Sequence, residues 1–252
     1  MAPGLYPIVD PLAPLLWLAW AVPEARVRPH VPPPLVLDTR PGVAGQPRAY
    51  LALAVVRNRR AHLAGLPGLH ATWVQANFRT YVRHPAAPDV PAVYFFGSYV
   101  SSRILTGVTR LLAPHAWYAP TRLGGRVPAG GSDAAWAVHL AMRGPLGPVR
   151  VDAVGLCVRP SAVPGWTDPT AAQHFLTQRP YGYMRARGGG VINQPVDHAE
   201  PAPWTGAAVR VVAPPWTRLG LLSAAEVAEP LAVLAAPHVA FRAALPRPAA
   251  WG

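Results

Sequence analysis

Polar and apolar positions alternate over Asn77–Arg83, where Asn77, Arg79, Tyr81 and Arg83 interleave with Phe78, Thr80 and Val82. Side chains on a strand point alternately to its two faces, so the first four share one face. Two guanidinium groups, an amide and a phenol make a poor core face. They suit the polar floor of a pocket for something anionic or carbonyl-rich. The same period of two predicts a half-buried strand where Trp136, Val138, Leu140 and Met142 alternate with Ala135, Ala137, His139 and Arg143.

Further strands are expected at Leu15–Val22, Leu35–Asp38, Ala49–Arg57, about 73–83, about 92–98, Val149–Arg159 and Val209–Ala213. A hairpin is expected from Arg179–Arg187 and Val191–Val196, joined by Gly188–Gly190. Residues 1–11 read as a Pro-rich lead-in, Pro23–Arg28 as one helical turn, 40–46 and 85–91 as turns, and 246–252 as a loose tail. Residues 59–70 read as a loop, because Gly65, Pro67 and Gly68 break both periodicities. One helix stands out. Ser101 or Ser102 can cap it, Pro114 ends it, and Ile104, Leu105, Val108, Leu111 and Leu112 fall at the spacing of a buried stripe. Arg103 and Arg110 share a face of that helix. A second, short helix is expected from the Asp168-Pro169 cap to about Thr177. Ser223–Glu229 is open to a helical reading, and Leu231–Ala236 with Val239–Leu245 to a closing hairpin. No repeat or long linker divides the chain, so residues 1–252 read as one mainly β (α+β) domain.

Charge changes the picture. There are 23 basic residues against 11 acidic, and every basic one is Arg. A GC-rich genome accounts for the missing Lys but not for the net charge of +12. An excess of Arg raises the alternative of a nucleic-acid-associated basic protein. Apart from Arg57-Asn-Arg-Arg60 the arginines are scattered, and a nucleic-acid partner is not expected. The single cysteine, Cys157, permits no internal disulfide and fits a reducing compartment. Leu12–Val22 is too short for a membrane span and is broken by Pro14. The first ten residues hold no basic residue, unlike the start of a signal peptide. A cytoplasmic protein without a membrane partner is the expectation.

Several pieces in this order resemble the YqjF-like conserved bacterial family, a branch of the acetoacetate-decarboxylase-like superfamily. They are Trp20–Glu24 with Val31-Pro-Pro and Leu35–Thr39, Asn77–Val82, Val93–Ser98, Arg110–Pro114, Phe175–Arg179 with Tyr181, and His198 ahead of Trp204. The resemblance implies a cone-like antiparallel β-barrel with an additional sheet, a few short helices and a pocket inside the cone. It also implies a tendency to form homo-oligomers. In acetoacetate decarboxylase a Pro-Lys dipeptide after the helix supplies a Schiff-base lysine. Pro114-His115 stands at the corresponding place, and Arg79 stands where the decarboxylases carry an acid. With no Lys in the chain, no side chain can form an iminium, and the decarboxylase mechanism is excluded.

His115 is then the candidate catalytic group, a general base kept neutral by nearby arginines, or else a structural histidine. Arg79 and Arg110 either clamp a carboxylate or phosphate or form buried ion pairs with Asp38, Asp152 or Glu200. Asn77, Tyr81, Tyr118, Arg179, Tyr181, His198 and Trp204 complete the candidate ligand-binding set. The tyrosines have the alternative reading of ordinary barrel aromatics. His198-Ala-Glu200 lacks a further ligand at metal spacing, Gly97-Ser98 lacks the second Gly of a nucleophile elbow, and no glycine-rich phosphate loop occurs. No metal or cofactor is expected. The leading expectation is a barrel that binds an anionic or carbonyl-containing small molecule, with lyase or isomerase chemistry through His115. A barrel filled by its own side chains, serving structure or partner binding, is the alternative.

Overall fold

The computed structural model describes residues 7–41, 45–126, 135–157, 163–199, 204–205 and 208–249. Long apolar runs punctuated by Pro and Gly fold into strands. In chain order come β1 (Ile8–Pro23), α1 (Glu24–Val27), β2 (Val36–Leu37), β3 (Arg40–Pro41), β4 (Pro47–Leu63), β5 (His70–His84), β6 (Ala87–Val100) and α2 (Arg103–Leu112). Next are β7 (Ala116–Tyr118), β8 (Thr121–Arg126), β9 (Trp136–Gly144), β10 (Gly147–Leu156), α3 (Pro169–Thr177), β11 (Tyr181–Arg185) and β12 (Val191–His198). The chain continues through β13 (Trp204–Thr205), β14 (Ala208–Val212), α4 (Pro214–Arg218), α5 (Ala224–Ala228), β15 (Ala232–Ala236), β16 (Val239–Ala243) and β17 (Arg247–Pro248).

Seven strands close a barrel in the order β1, β4, β5, β6, β11, β12, β16 and back to β1. Every pairing in it is antiparallel except β6 with β11. A second sheet, β14-β10-β9-β8, packs on the outside. Its Trp136, Leu140, Met142, Val149 and Val151 share one core with Leu16, Leu18, Leu51, Leu53 and Phe78 on the outer faces of β1, β4 and β5. On β1 and β4 the opposite faces are mainly apolar as well, which explains why these two read as nearly unbroken apolar runs, whereas β5 alternates.

One end is plugged by α3. Asp168 caps this helix by accepting from the Thr170 N–H at 2.8 Å, with Pro169 in its first turn. Phe175 then stacks on Tyr81, with ring centroids 5.1 Å apart, and meets Tyr50 edge-on at 5.1 Å.

Five expectations need correction. The Pro-rich lead-in is strand, because β1 begins at Ile8 and absorbs Pro11 and Pro14 through two irregularities against β4. The loop at 59–70 shrinks to a turn between β4 and β5. The turn at 85–91 likewise becomes mostly β6. Ser223–Glu229 resolves as α5, with a capping box between Ser223 and Glu226, but no closing hairpin follows. Instead β15 and β16 pair one after the other with the same edge of β1, Ala236 opposite Leu15 and Val239 opposite Leu12. They form one interrupted strand, broken at Pro237-His238.

The fifth correction concerns α2. Its bounds and its Ser102 cap agree with the sequence, the Ser102 hydroxyl accepting from the Leu105 N–H at 3.2 Å. Its apolar stripe is not buried. Ile104, Val108, Leu111 and Leu112 are exposed, and Thr106 is the buried position. The helix lies over the barrel, where Leu105, Val108 and Leu112 border the interior space rather than a packed core.

Candidate functional site

The barrel is hollow. A cavity of about 400 Å³ runs between its inner faces, within the range of small-molecule sites. Its lining is two-sided. The inner face of β5 contributes Trp73, Gln75, Asn77 and Arg79, whereas β11, β12 and β16 contribute mainly apolar groups such as Met184, Ile192, Val239 and Phe241.

The polar side is held by a hydrogen-bond ladder. Asn77 Oδ1 accepts from the Gln75 amide at 2.6 Å and from the Ser98 hydroxyl at 2.7 Å. Two donors on one oxygen fix the amide orientation. The Trp73 indole N–H approaches Gln75 Oε1 at 3.3 Å. In the Asn58 orientation that satisfies both neighbours, the amide accepts from Trp73 at 2.9 Å and donates to Asp10. Asp10 is 4% exposed and its Oδ1 has no partner. Burial raises its pKa to about 7.

At the plugged end, Arg179 is 3% exposed and donates through Nη1 to Asp38 at 2.6 Å and through Nε to the Phe175 carbonyl at 2.8 Å. Its guanidinium lies over the rings of Phe175 and Tyr81, 4.2 and 4.7 Å from their centroids. Asp38 is shared, because Arg83 also reaches it at 3.0 Å. Arg79 is different. Its Nε and Nη2 are buried without a hydrogen-bond partner, and among the described residues no acid pairs with it. Burial pulls its pKa down, with the Tyr81 phenol partly offsetting the shift. A guanidinium stays protonated through such shifts, so Arg79 carries a positive charge that no acid among the described residues neutralises.

His115 occupies a seam in the wall. Beside β6, the neighbouring strand is β11 as far as Phe95 and β7 from Ser98 onward, and His115 directly precedes β7. The Ser98 N–H donates to its carbonyl at 2.8 Å. The imidazole borders the cavity beside Phe95, with Nδ1 buried and unpartnered. Burial lowers its pKa to about 4 against a weaker opposing hydrogen bond with the Ala113 backbone. It is a neutral imidazole at physiological pH. The cause is desolvation rather than the neighbouring arginines expected from sequence.

Of the sequence-derived set, Asn77, Arg79, His115, Arg179 and His198 line the cavity. Others do not. Arg110 is exposed on α2, so it cannot join Arg79 and His115. Tyr81 is buried in the plug, where its hydroxyl donates to the Leu176 carbonyl at 3.0 Å. Tyr118 lies under the Arg103 guanidinium, 4.8 Å away, and Tyr181 lines a separate cleft with His84 and Tyr183. Trp204 belongs to β13, opposite Ala235, and its side chain falls outside the described residues, as does Glu200. Asp152 pairs with His139 at 2.9 Å. The acids offered as partners for Arg79 are thus engaged elsewhere or not described. In Arg57–Arg60, Asn58 is buried, Arg57 donates to the Leu123 carbonyl at 2.8 Å, and Arg59 and Arg60 are exposed. Among the described residues no His, Cys, Asp and Glu group has metal-site geometry, and no helix is long and apolar enough to cross a membrane.

The two perturbed groups give opposite pH signatures. Between pH 3.8 and about 7, folded Asp10 holds a proton that the unfolded chain releases, so its contribution falls as pH rises. Between about pH 4 and 6.5, unfolded His115 binds a proton that the folded chain refuses, so its contribution rises with pH. Urea titrations at pH 4.5, 5.5 and 6.5 are therefore expected to separate two variants. Relative to wild type, Asp10→Asn should gain ~1.4 kcal/mol of stability per pH unit, and His115→Gln should lose the same amount. Parallel curves for all three proteins would mean that neither group is desolvated.

A barrel of this order, plugged at one end and lacking the lysine of its resemblance, agrees with the comparison against protein families. Residues 12–240 match DUF2071, described as an uncharacterized conserved protein (COG2071). The chain belongs to the DUF2071 family. No curated protein sequence matches this DUF2071 chain. Solved structures do match in fold. An acetoacetate decarboxylase-like enzyme from Sphingomonas wittichii RW1 is 11% identical, covering 97% of this chain and 94% of its own, with a TM-score of 0.59. A structure described as acetoacetate decarboxylase is 15% identical over 96% and 87%, with a TM-score of 0.54. The enduracididine biosynthesis enzyme MppR complexed with pyruvate is 15% identical over 94% and 87%, with a TM-score of 0.53. At such identities the likeness establishes the fold, and the DUF2071 chain has the acetoacetate decarboxylase-like architecture.

Proposed function

We propose that this DUF2071 chain binds an organic carboxylate inside its barrel, anchored on Arg79, with His115 as the group that accepts a proton from the bound molecule. One observation carries the reading: a buried guanidinium whose Nε and Nη2 have no partner faces a hollow of about 400 Å³. A folded protein tolerates an uncompensated buried cation where a ligand supplies the counter-charge. A carboxylate does so through two parallel charge-assisted hydrogen bonds. Asn77, two residues from Arg79 on the same face of β5 and locked by Gln75 and by Ser98 of β6, can hydrogen-bond a ligand oxygen. MppR, of the same fold, is complexed with pyruvate, itself a small carboxylate.

The chemistry follows from the groups present. Without Lys, carbanion stabilisation cannot come from an iminium. A neutral imidazole with a free Nδ1 takes up a proton, and a fixed guanidinium and amide stabilise charge developing on a carboxylate or carbonyl oxygen. That combination suits a lyase or isomerase acting next to a carbonyl. The test is a thermal-shift panel of keto acids and simple carboxylates on wild type and Arg79→Met. Acids are expected to raise the wild-type melting temperature and to leave the variant unmoved. Equal shifts in both proteins would refute the anchor.

A further inference from the structure

We infer that the cavity takes an elongated ligand with a carboxylate at one end and a protonated amine at the other, the amine held by Asp10. This rests on the carboxylate reading for the Arg79 end and adds the opposite end. Asp10 faces the cavity from β1, opposite Phe241 of β16. Its Oδ2 is engaged by Asn58, which Trp73 holds in place, and its Oδ1 is buried with no partner. Two unsatisfied groups of opposite ionic character therefore share one hollow without meeting. Among the described residues no cation pairs with Asp10 and no carboxylate pairs with Arg79.

Their separation follows from the strand. Trp73 marks the Asp10 end of β5 and Arg79 the other, about 20 Å apart at 3.3–3.4 Å per residue. The long Arg side chain shortens the gap to be bridged. Leu15, Val56, Phe95 and Ile192 offer apolar surface to a spacer, facing the polar side of the hollow that Gln75 and Asn77 form. A hydroxyl would satisfy the Oδ1 hydrogen bond but leave the desolvated carboxylate without a counter-charge. An ammonium supplies both. The Phe241 ring, stacked on His198 at 6.0 Å, adds an aromatic face beside the same position.

Calorimetric titration at pH 8 with ω-amino acids of six to twelve carbons, the matching fatty acids, ω-hydroxy acids and alkylamines decides the matter. At one chain length the amino acid is expected to bind wild type roughly tenfold more tightly than the fatty acid of equal length. Asp10→Asn should remove that advantage while retaining fatty-acid binding. Should the fatty acid match the amino acid at every length, should the hydroxy acid match it, or should the advantage survive in Asp10→Asn, the inference is overturned and the Arg79 anchor still stands. If no acid binds wild type at all, the anchor falls as well. The wild-type comparison is decisive by itself if the Asp10 variant does not fold.

Discussion

Replacing Arg79 by methionine is expected to stabilise the ligand-free protein by about 2 kcal/mol, raising its melting temperature by about 4–8 °C for a chain of this size. Most substitutions of barrel residues do the opposite. Here the native side chain holds charge inside the barrel with two buried nitrogens unpartnered, and an unsatisfied buried donor costs about 1–3 kcal/mol, more when charged. Methionine keeps the unbranched stem and removes the penalty. Packing lost from the tip of the longer side chain works against the gain. Relief of the penalty for a charged, unsatisfied donor is expected to outweigh that loss. The same variant should lose carboxylate binding, so stability and binding move in opposite directions, as expected where a site keeps a group the fold would be better without. A lower melting temperature for Arg79→Met would mean that the guanidinium is already satisfied in the ligand-free barrel.

How much of this was legible before the structure depends on which residues carry it. The inner face of β5 was readable because alternation is strict there and both arginines interrupt an otherwise apolar stretch. The bounds of α2 and α3 were readable because Ser102, Pro114, Asp168 and Pro169 act locally. The fate of the α2 stripe was not. Spacing shows that Ile104, Leu105, Val108, Leu111 and Leu112 share a face, but not whether a core or a hollow lies opposite. Asp10 was hidden by its neighbours, since Pro7, Pro11 and Pro14 make the segment look like a lead-in, and a bulged strand can absorb such prolines. Asn58 was hidden in the same way inside Arg57–Arg60, where charge drew attention to the outward-facing residues. The assignment of Arg79 and Arg179 was beyond sequence altogether. Both are arginines near the end of the barrel, yet Asp38 lies within reach of Arg179 and Arg83 and leaves Arg79 alone. Only the register of β2 against β5, which sets Val36 opposite Arg83 and Leu37 opposite Val82, decides which cation the next residue meets.

Asp38→Asn should be the most damaging conservative change at the plugged end, lowering stability by about 3–5 kcal/mol, the scale for breaking a buried ion pair from one side. On a chain of this length that corresponds to a fall of about 6–20 °C in melting temperature. Asp38 is 5% exposed and Arg179 3%, so neither charge is well placed to regain solvent when the other is removed. Arg179 also faces Arg79 at the base, and the two cations already disfavour one another. Neutralising Asp38 removes the only acid that pairs with Arg179 among the described residues. The damage should spread to the plug, because the Arg179 guanidinium sits over Phe175 and Tyr81 while its Nε holds the Phe175 carbonyl. A double-mutant cycle separates this account from simple loss of packing. With Arg179→Met added, the buried charge is gone, and Asp38→Asn should then cost only a fraction of its single-mutant value. Full additivity would show that Asp38 stabilises the barrel through something other than Arg179. Added salt should leave the Asp38 effect unchanged while weakening the half-exposed Arg26–Glu226 pair. A carboxylate ligand bound at Arg79 should narrow the gap between wild type and Asp38→Asn, because it restores negative charge to the same end of the barrel.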